Sequence, residues 1–164
     1  VNQETALRNI RDLTALWYVE QADASDIVFA ACDLLVAGLD GPAMCALAAV
    51  SIADADAEVP ELLADALSEV GVECLPRYSQ FALRAGLRAM AARTVTGDLA
   101  PRALAAWAHR TFGHDTPQAE VLATLDDEYD LVEAPDLVKY AVRTRAELDQ
   151  RTLAEAHRLS SSDR

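Results

Sequence analysis

Apolar residues recur at helical spacing almost from one end of the chain to the other. Between residues 3 and 21, Ala6, Leu7, Ile10, Leu13, Leu16 and Trp17 follow the i, i+3, i+4, i+7 pattern of an amphipathic helix. A second stripe, Ile27, Ala30, Ala31, Leu34 and Leu35, predicts a helix over 26–38, with Asp23 or Ser25 as its cap and Gly38 as its stop. Pro42 stands where a third helix would begin, because its missing N–H costs nothing in a first turn, and that helix is expected to reach Ile52. IADADAEVPEL reads as a turn, followed by a fourth helix to Glu69 that Gly71 closes. Pro76 and Ser79 open a fifth helix running to about Val95, and Gly97 stops it. Pro101 starts a sixth that ends at Gly113, and Thr116-Pro117 starts a seventh that Ala134-Pro135 breaks. A long last helix is expected over 138–159, before a polar tail, 160–164, that should fray.

Composition supports helices throughout. The 164 residues include 33 alanines and only 5% aromatics, and alanine loses no side-chain entropy on entering a helix. The expected fold is all-α: a single-domain bundle of seven to eight antiparallel helices over residues 1–159. A weak internal echo joins GLDGPAMCALAAV (38–50) to GDLAPRALAAWAH (97–109), each a glycine stop, a proline start and an alanine-rich helix. It makes two pseudo-repeated three-helix units a candidate arrangement.

Charge changes the picture more than composition does. The net charge is −13, and no basic residue lies between Arg11 and Arg77. Residues 1–75 hold fourteen acids and two bases, whereas 76–164 hold thirteen acids and twelve bases. A surface of one sign attracts the other, so nucleic acid and anionic membrane are poor partners and a basic protein is a good one. No stretch of eighteen apolar residues suggests a membrane span, and VNQETALRNI has no charged-then-apolar signal pattern. Cys32, Cys45 and Cys74 form no CxxC pair and are expected to be reduced thiols inside the core. Together these features point to a cytoplasmic protein, and thirteen arginines among fourteen bases fit a GC-rich bacterial genome.

The densest acidic stretch is TLDDEYDLVEAPD (124–136). At about 100° per residue, Leu122, Leu125, Tyr129 and Val132 share one face of the seventh helix. Asp126, Asp127, Asp130 and Glu133 then occupy the side away from the core, a solvated face available to a cationic partner. A second acidic patch is the turn carrying Asp54, Asp56 and Glu58. Neither is a calcium loop: both lack the glycine that an EF-hand needs at its sixth position, and Val59-Pro60 occupies the turn of the second.

WAHRTFGHDTP (107–117) carries the most chemistry. His109, His114 and Asp115 could hold a divalent metal, with Asp126, Asp127 or Asp130 reaching in from the next helix. The His114-Asp115 pair in an all-helical chain resembles the HD-domain phosphohydrolases, whose metal is held by a histidine, an adjacent His-Asp and a remote aspartate. The resemblance covers that dipeptide alone, and His109 lies five residues upstream rather than on an earlier helix. The plainer expectation is that His114 and Asp115 cap the helices around their turn. No GxSxG elbow, P-loop or GxGxxG fingerprint is present. Trp17 and Trp107 lie on apolar stripes and are expected in the core.

The function expected from these features is a noncatalytic acidic protein-binding module without a cofactor or bound metal. Its most concrete form is an immunity- or antitoxin-like inhibitor of a basic bacterial toxin such as a nuclease, and the resemblance to that class is compositional. The alternatives are a metal-dependent HD-like phosphohydrolase and a helical homodimer joined through alanine-rich faces.

Overall fold

A computed structural model describes residues 2–161, and in them the chain is all-helical, with eight α-helices and no strand. They are α1 (Gln3–Tyr18), α2 (Ala24–Val36), α3 (Pro42–Ala48), α4 (Ala55–Glu69), α5 (Gln80–Thr96), α6 (Pro101–Phe112), α7 (Glu120–Glu133) and α8 (Arg145–Ser160). A short 3-10 turn, Val138–Tyr140, lies between α7 and α8. Among the described residues no helix is long and apolar enough to cross a membrane.

The chain divides into two compact units, one up to Gly86 and one from Leu87 onward, so the boundary falls inside α5. In the first, α2 packs against α1, α3 and α4, and α3 packs against α4. Ile10, Ile27, Leu34, Met44, Leu47, Leu63 and Leu67 are fully buried there, each worth about 1.5–3 kcal/mol relative to exposure. In the second, α6, α7 and α8 pack pairwise around Ala105, Leu125, Tyr129 and Leu148.

The start and stop signals mostly act as expected. Pro42 and Pro101 occupy first-turn positions of α3 and α6, and Gly38 and Gly97 before them share a left-handed backbone, φ 84° and 87°. The echo between 38–50 and 97–109 is thus a shared way of ending one helix and starting the next, although α3 has 7 residues and α6 has 12. Glu69, from the end of α4, accepts the N–H groups of Ala43 and Met44 (3.0 and 2.9 Å) and so caps α3.

Several boundaries differ from expectation: α3 ends at Ala48 rather than near Ile52, and α7 begins at Glu120 rather than at Thr116-Pro117. The stretch read as a turn at 52–62 is helical from Ala55, with Pro60 inside the helix. Proline there removes one backbone hydrogen bond, but Ala55, Val59, Leu63, Ala66 and Leu67 bury a continuous stripe that outweighs it. The last helix begins at Arg145, not 138. Thr144 and Glu147 set that start reciprocally: the Glu147 carboxylate accepts the Thr144 N–H at 2.8 Å, and the Thr144 hydroxyl accepts the Glu147 N–H at 3.3 Å. The Thr144 N–H and hydroxyl both donate to that carboxylate, which favours its charged form and holds Glu147 below its ordinary range. Of the tail expected to fray, Ser160 ends α8, and residues 162–164 lie outside the described residues.

Candidate functional site

Most acids of α7 have internal partners, and Arg102 in the first turn of α6 is the main one. Its guanidinium pairs with Asp126, with Asp130 (2.6 Å) and with Glu133 (3.2 Å), and lies 5.1 Å from the centre of the Tyr129 ring. Arg145 pairs with the other oxygen of Glu133 at 2.8 Å, and Arg143 pairs with Glu128. Asp126 is therefore not on a solvated face: it is only 8% exposed. The helical wheel placed it on the side away from the core, but α6 packs on α7 and covers that flank. Burial of a carboxylate without partners would be costly, and Arg102 and His109 supply them.

Tyr129, at the centre of this unit, is fully buried and donates to Asp149 at 2.7 Å, with the Thr152 hydroxyl 3.3 Å away. Burial pushes its phenol up to about 12. A groove of about 590 Å³ between α7 and α8 is lined by Val121, Leu125, Glu128, Arg151 and Glu155, among others.

Three of the chain's chemical side chains converge at the far end of α6. His109, in the last turn of α6, sets Nδ1 2.9 Å from Asp126 and 3.7 Å from Asp127. His114, in the turn after α6, sets Nε2 3.1 Å from the other oxygen of Asp127. The two imidazoles meet edge-on, centroids 4.8 Å apart at 66°. One donor atom each from His109, His114 and Asp127 lies within 4.8 Å of the others, the spacing of a metal-binding group. Asp115 is exposed and outside that group, so α7 supplies the carboxylate that the HD resemblance gives to the residue after His114. The turn itself is organised by Thr116: its hydroxyl donates to the Phe112 carbonyl (3.3 Å), and its own carbonyl accepts Ala119 and Glu120 N–H.

The other acidic patch is different. Asp54, Asp56 and Glu58 are exposed, and so are Glu61 and Asp65 further along α4. At about 100° per residue, Asp54, Glu58, Glu61 and Asp65 fall within about 60° of one another on one outer face. Asp56 lies off that stripe at the start of the helix. Among the described residues these acids hold no arginine or lysine, and the ion pair inside this unit is Arg8–Glu4 at 2.9 Å. The loop that a calcium site would need is absent, since the segment is helix from Ala55.

The cysteines are not core residues. Cys32 and Cys45 are exposed and Cys74 is half-buried, its Sγ 3.6 Å from the Tyr18 hydroxyl. Trp17 and Trp107 are buried as expected, and the Arg77 guanidinium stacks 4.2 Å from the centre of Trp17.

No protein-family model, curated protein or solved structure matches the chain.

Proposed function

We propose that the protein is a noncatalytic binding module whose first unit docks a basic protein through the acidic stripe of α4. One observation carries this: Asp54, Glu58, Glu61 and Asp65 line a single exposed face without a base, inside a stretch that has no lysine or arginine between Arg11 and Arg77. Like charges at i, i+4 cost an isolated helix a few tenths of a kcal/mol each, so the stripe does not serve helix stability. A cationic partner would relieve that repulsion and would be steered in from solution.

Of the two acidic patches, the α4 one is the better docking surface. Asp126, Asp130 and Glu133 already neutralise Arg102 and Arg145, and Asp127 faces two imidazoles. The most concrete form is an immunity- or antitoxin-like inhibitor that covers the positive surface of a bacterial nuclease in the cytoplasm. A surface that holds phosphate must be positive, so a blocker of it gains from being negative.

The test is a pull-down from bacterial lysate with the wild type and with a variant carrying Asp54→Asn, Glu58→Gln, Glu61→Gln and Asp65→Asn. The wild type should retain a basic protein that elutes as salt rises, and the variant should not. A nuclease assay on the captured protein then asks whether the wild-type chain inhibits it. Equal capture by both proteins, or no basic protein captured by either, rejects docking through α4.

A further inference from the structure

We infer that His109, His114 and Asp127 form a binding site for one divalent transition-metal ion, Zn²⁺ above all. The donors come from three consecutive pieces of the second unit: the last turn of α6, the turn that follows it, and α7. α6 and α7 pack directly on each other, so the frame that carries two of the ligands is firm.

The spacing already approaches that of a bound ion. Zn–N and Zn–O bonds of about 2.0–2.2 Å in a tetrahedral shell place neighbouring donors about 3.3 Å apart. His114 Nε2 and the nearer Asp127 oxygen are 3.1 Å apart, and all three donors lie within 4.8 Å. The remaining closure is side-chain rotation, and His114 and Asp127 are free to make it, with side chains 49% and 54% exposed.

The surroundings fit an ion as well. Asp126 sits behind His109, 2.9 Å from Nδ1. Nδ1 is also the His109 atom that lies 3.7 Å from Asp127, so Asp126 holds the ring with its Nδ1 edge turned toward the site. Asp126 is itself locked by Arg102, so the outer support is ordered. The two imidazoles, centroids 4.8 Å apart, stand together beside Asp127. Two nitrogens and one oxygen suit Zn²⁺, Ni²⁺ or Cu²⁺, whereas Mg²⁺ and Ca²⁺ require oxygen ligands. The fourth position opens to solvent and would take water. This site is independent of the α4 stripe.

Calorimetric titration of the chelator-treated full chain with Zn²⁺, near neutral pH, tests it. The expected result is one ion per chain with micromolar or tighter affinity, weaker in acid because protons compete with the metal for its donors. Asp126→Asn, which weakens the support behind His109 as well as the pairing with Arg102, should weaken binding about 10–100-fold. His114→Ala and Asp127→Ala, which remove ligands, should weaken it further still. Both are exposed, so unchanged circular dichroism and melting without metal will show that the variants fold. Absence of one-to-one binding by the wild type, or binding as tight in His114→Ala as in the wild type, overturns the assignment.

Discussion

Arg102 decides whether the second unit can keep a carboxylate inside. Asp126 is 8% exposed and has two partners, Arg102 and His109. Stripping one partner from a buried ion pair costs about 3–5 kcal/mol, because the charge left behind is neither solvated nor matched. His109 still holds one oxygen of Asp126, so Arg102→Ala should cost about 3 kcal/mol, the low end of that range, read as a lower urea midpoint at unchanged slope. Arg102→Lys should recover only part of it, since an ammonium cannot fork to Asp126, Asp130 and Glu133 at once. A loss below about 1 kcal/mol for Arg102→Ala would mean that Asp126 does not depend on it. At this scale the sequence was legible where hydrophobicity decides and illegible where neighbours do. The apolar stripes placed Trp17 and Trp107 inside correctly. The same rule put Cys32 and Cys45 in the core, where they are not, and put Asp126 in water. A helical wheel gives the direction of a side chain but not what packs on its flank. The match of Arg102 to α7 spans 24 to 31 residues, and nothing local marks it.

At the level of elements, the contact between the end of α1 and the middle of α5 shows why glycine can be tolerated inside a helix. A Cβ on Gly86 would stand 2.2 Å from Val19 Cγ1 and 2.7 Å from Cγ2, closer than real carbon contacts allow. Gly→Ala in a helix interior ordinarily gains about 1 kcal/mol. Overpacking of this kind costs about 1–3 kcal/mol, and at 2.2 Å it should win. Gly86→Ala is therefore expected to destabilise. Val19→Ala, by itself a cavity at a buried site, should then rescue it, leaving a favourable coupling of about 1 kcal/mol or more in a double-mutant cycle of melting or urea data. A Gly86→Ala variant more stable than the wild type would show that α1 yields. The same scale explains which helix ends could be read. Glycine and proline gave the starts of α3 and α6 and the ends of α2 and α5 correctly, because their effects are backbone effects that need no neighbour. Pro60 misled because buried apolar contacts on α4 outweigh one lost hydrogen bond. The start of α8 was legible after all: Thr144 and Glu147 are the three-apart pair of a capping box, and the expected start at 138 overlooked it.

Taken as a whole molecule, the chain is electrostatically lopsided, and its two halves use their acids differently. Through Gly86 there are fourteen acids and four bases; from Leu87 onward there are thirteen and ten. In the second unit arginine consumes much of the acid, through Arg102, Arg143, Arg145 and Arg158. In the first, acids stand in water, and only a few have an internal task, such as Glu69 capping α3. Acids near the start of α4 can be justified by the helix dipole, which favours negative charge in the first turn by about 0.3–1 kcal/mol. Asp54, Asp56 and Glu58 are of this kind. Glu61 and Asp65 are not: they lie beyond the first turn, one helical step apart, each next to another acid of the stripe. Replacing both by Gln and Asn should therefore leave the protein as stable as the wild type or more stable by a few tenths of a kcal/mol at low salt, with the difference closing as salt screens the repulsion. Melting curves at low and high salt would measure it. If the acids exist for a partner, the same pair of substitutions should weaken capture of that partner while stability holds or rises, since surfaces kept for binding often oppose stability. A loss of stability on neutralising Glu61 and Asp65 would instead assign them a structural task and remove the main support for docking through α4.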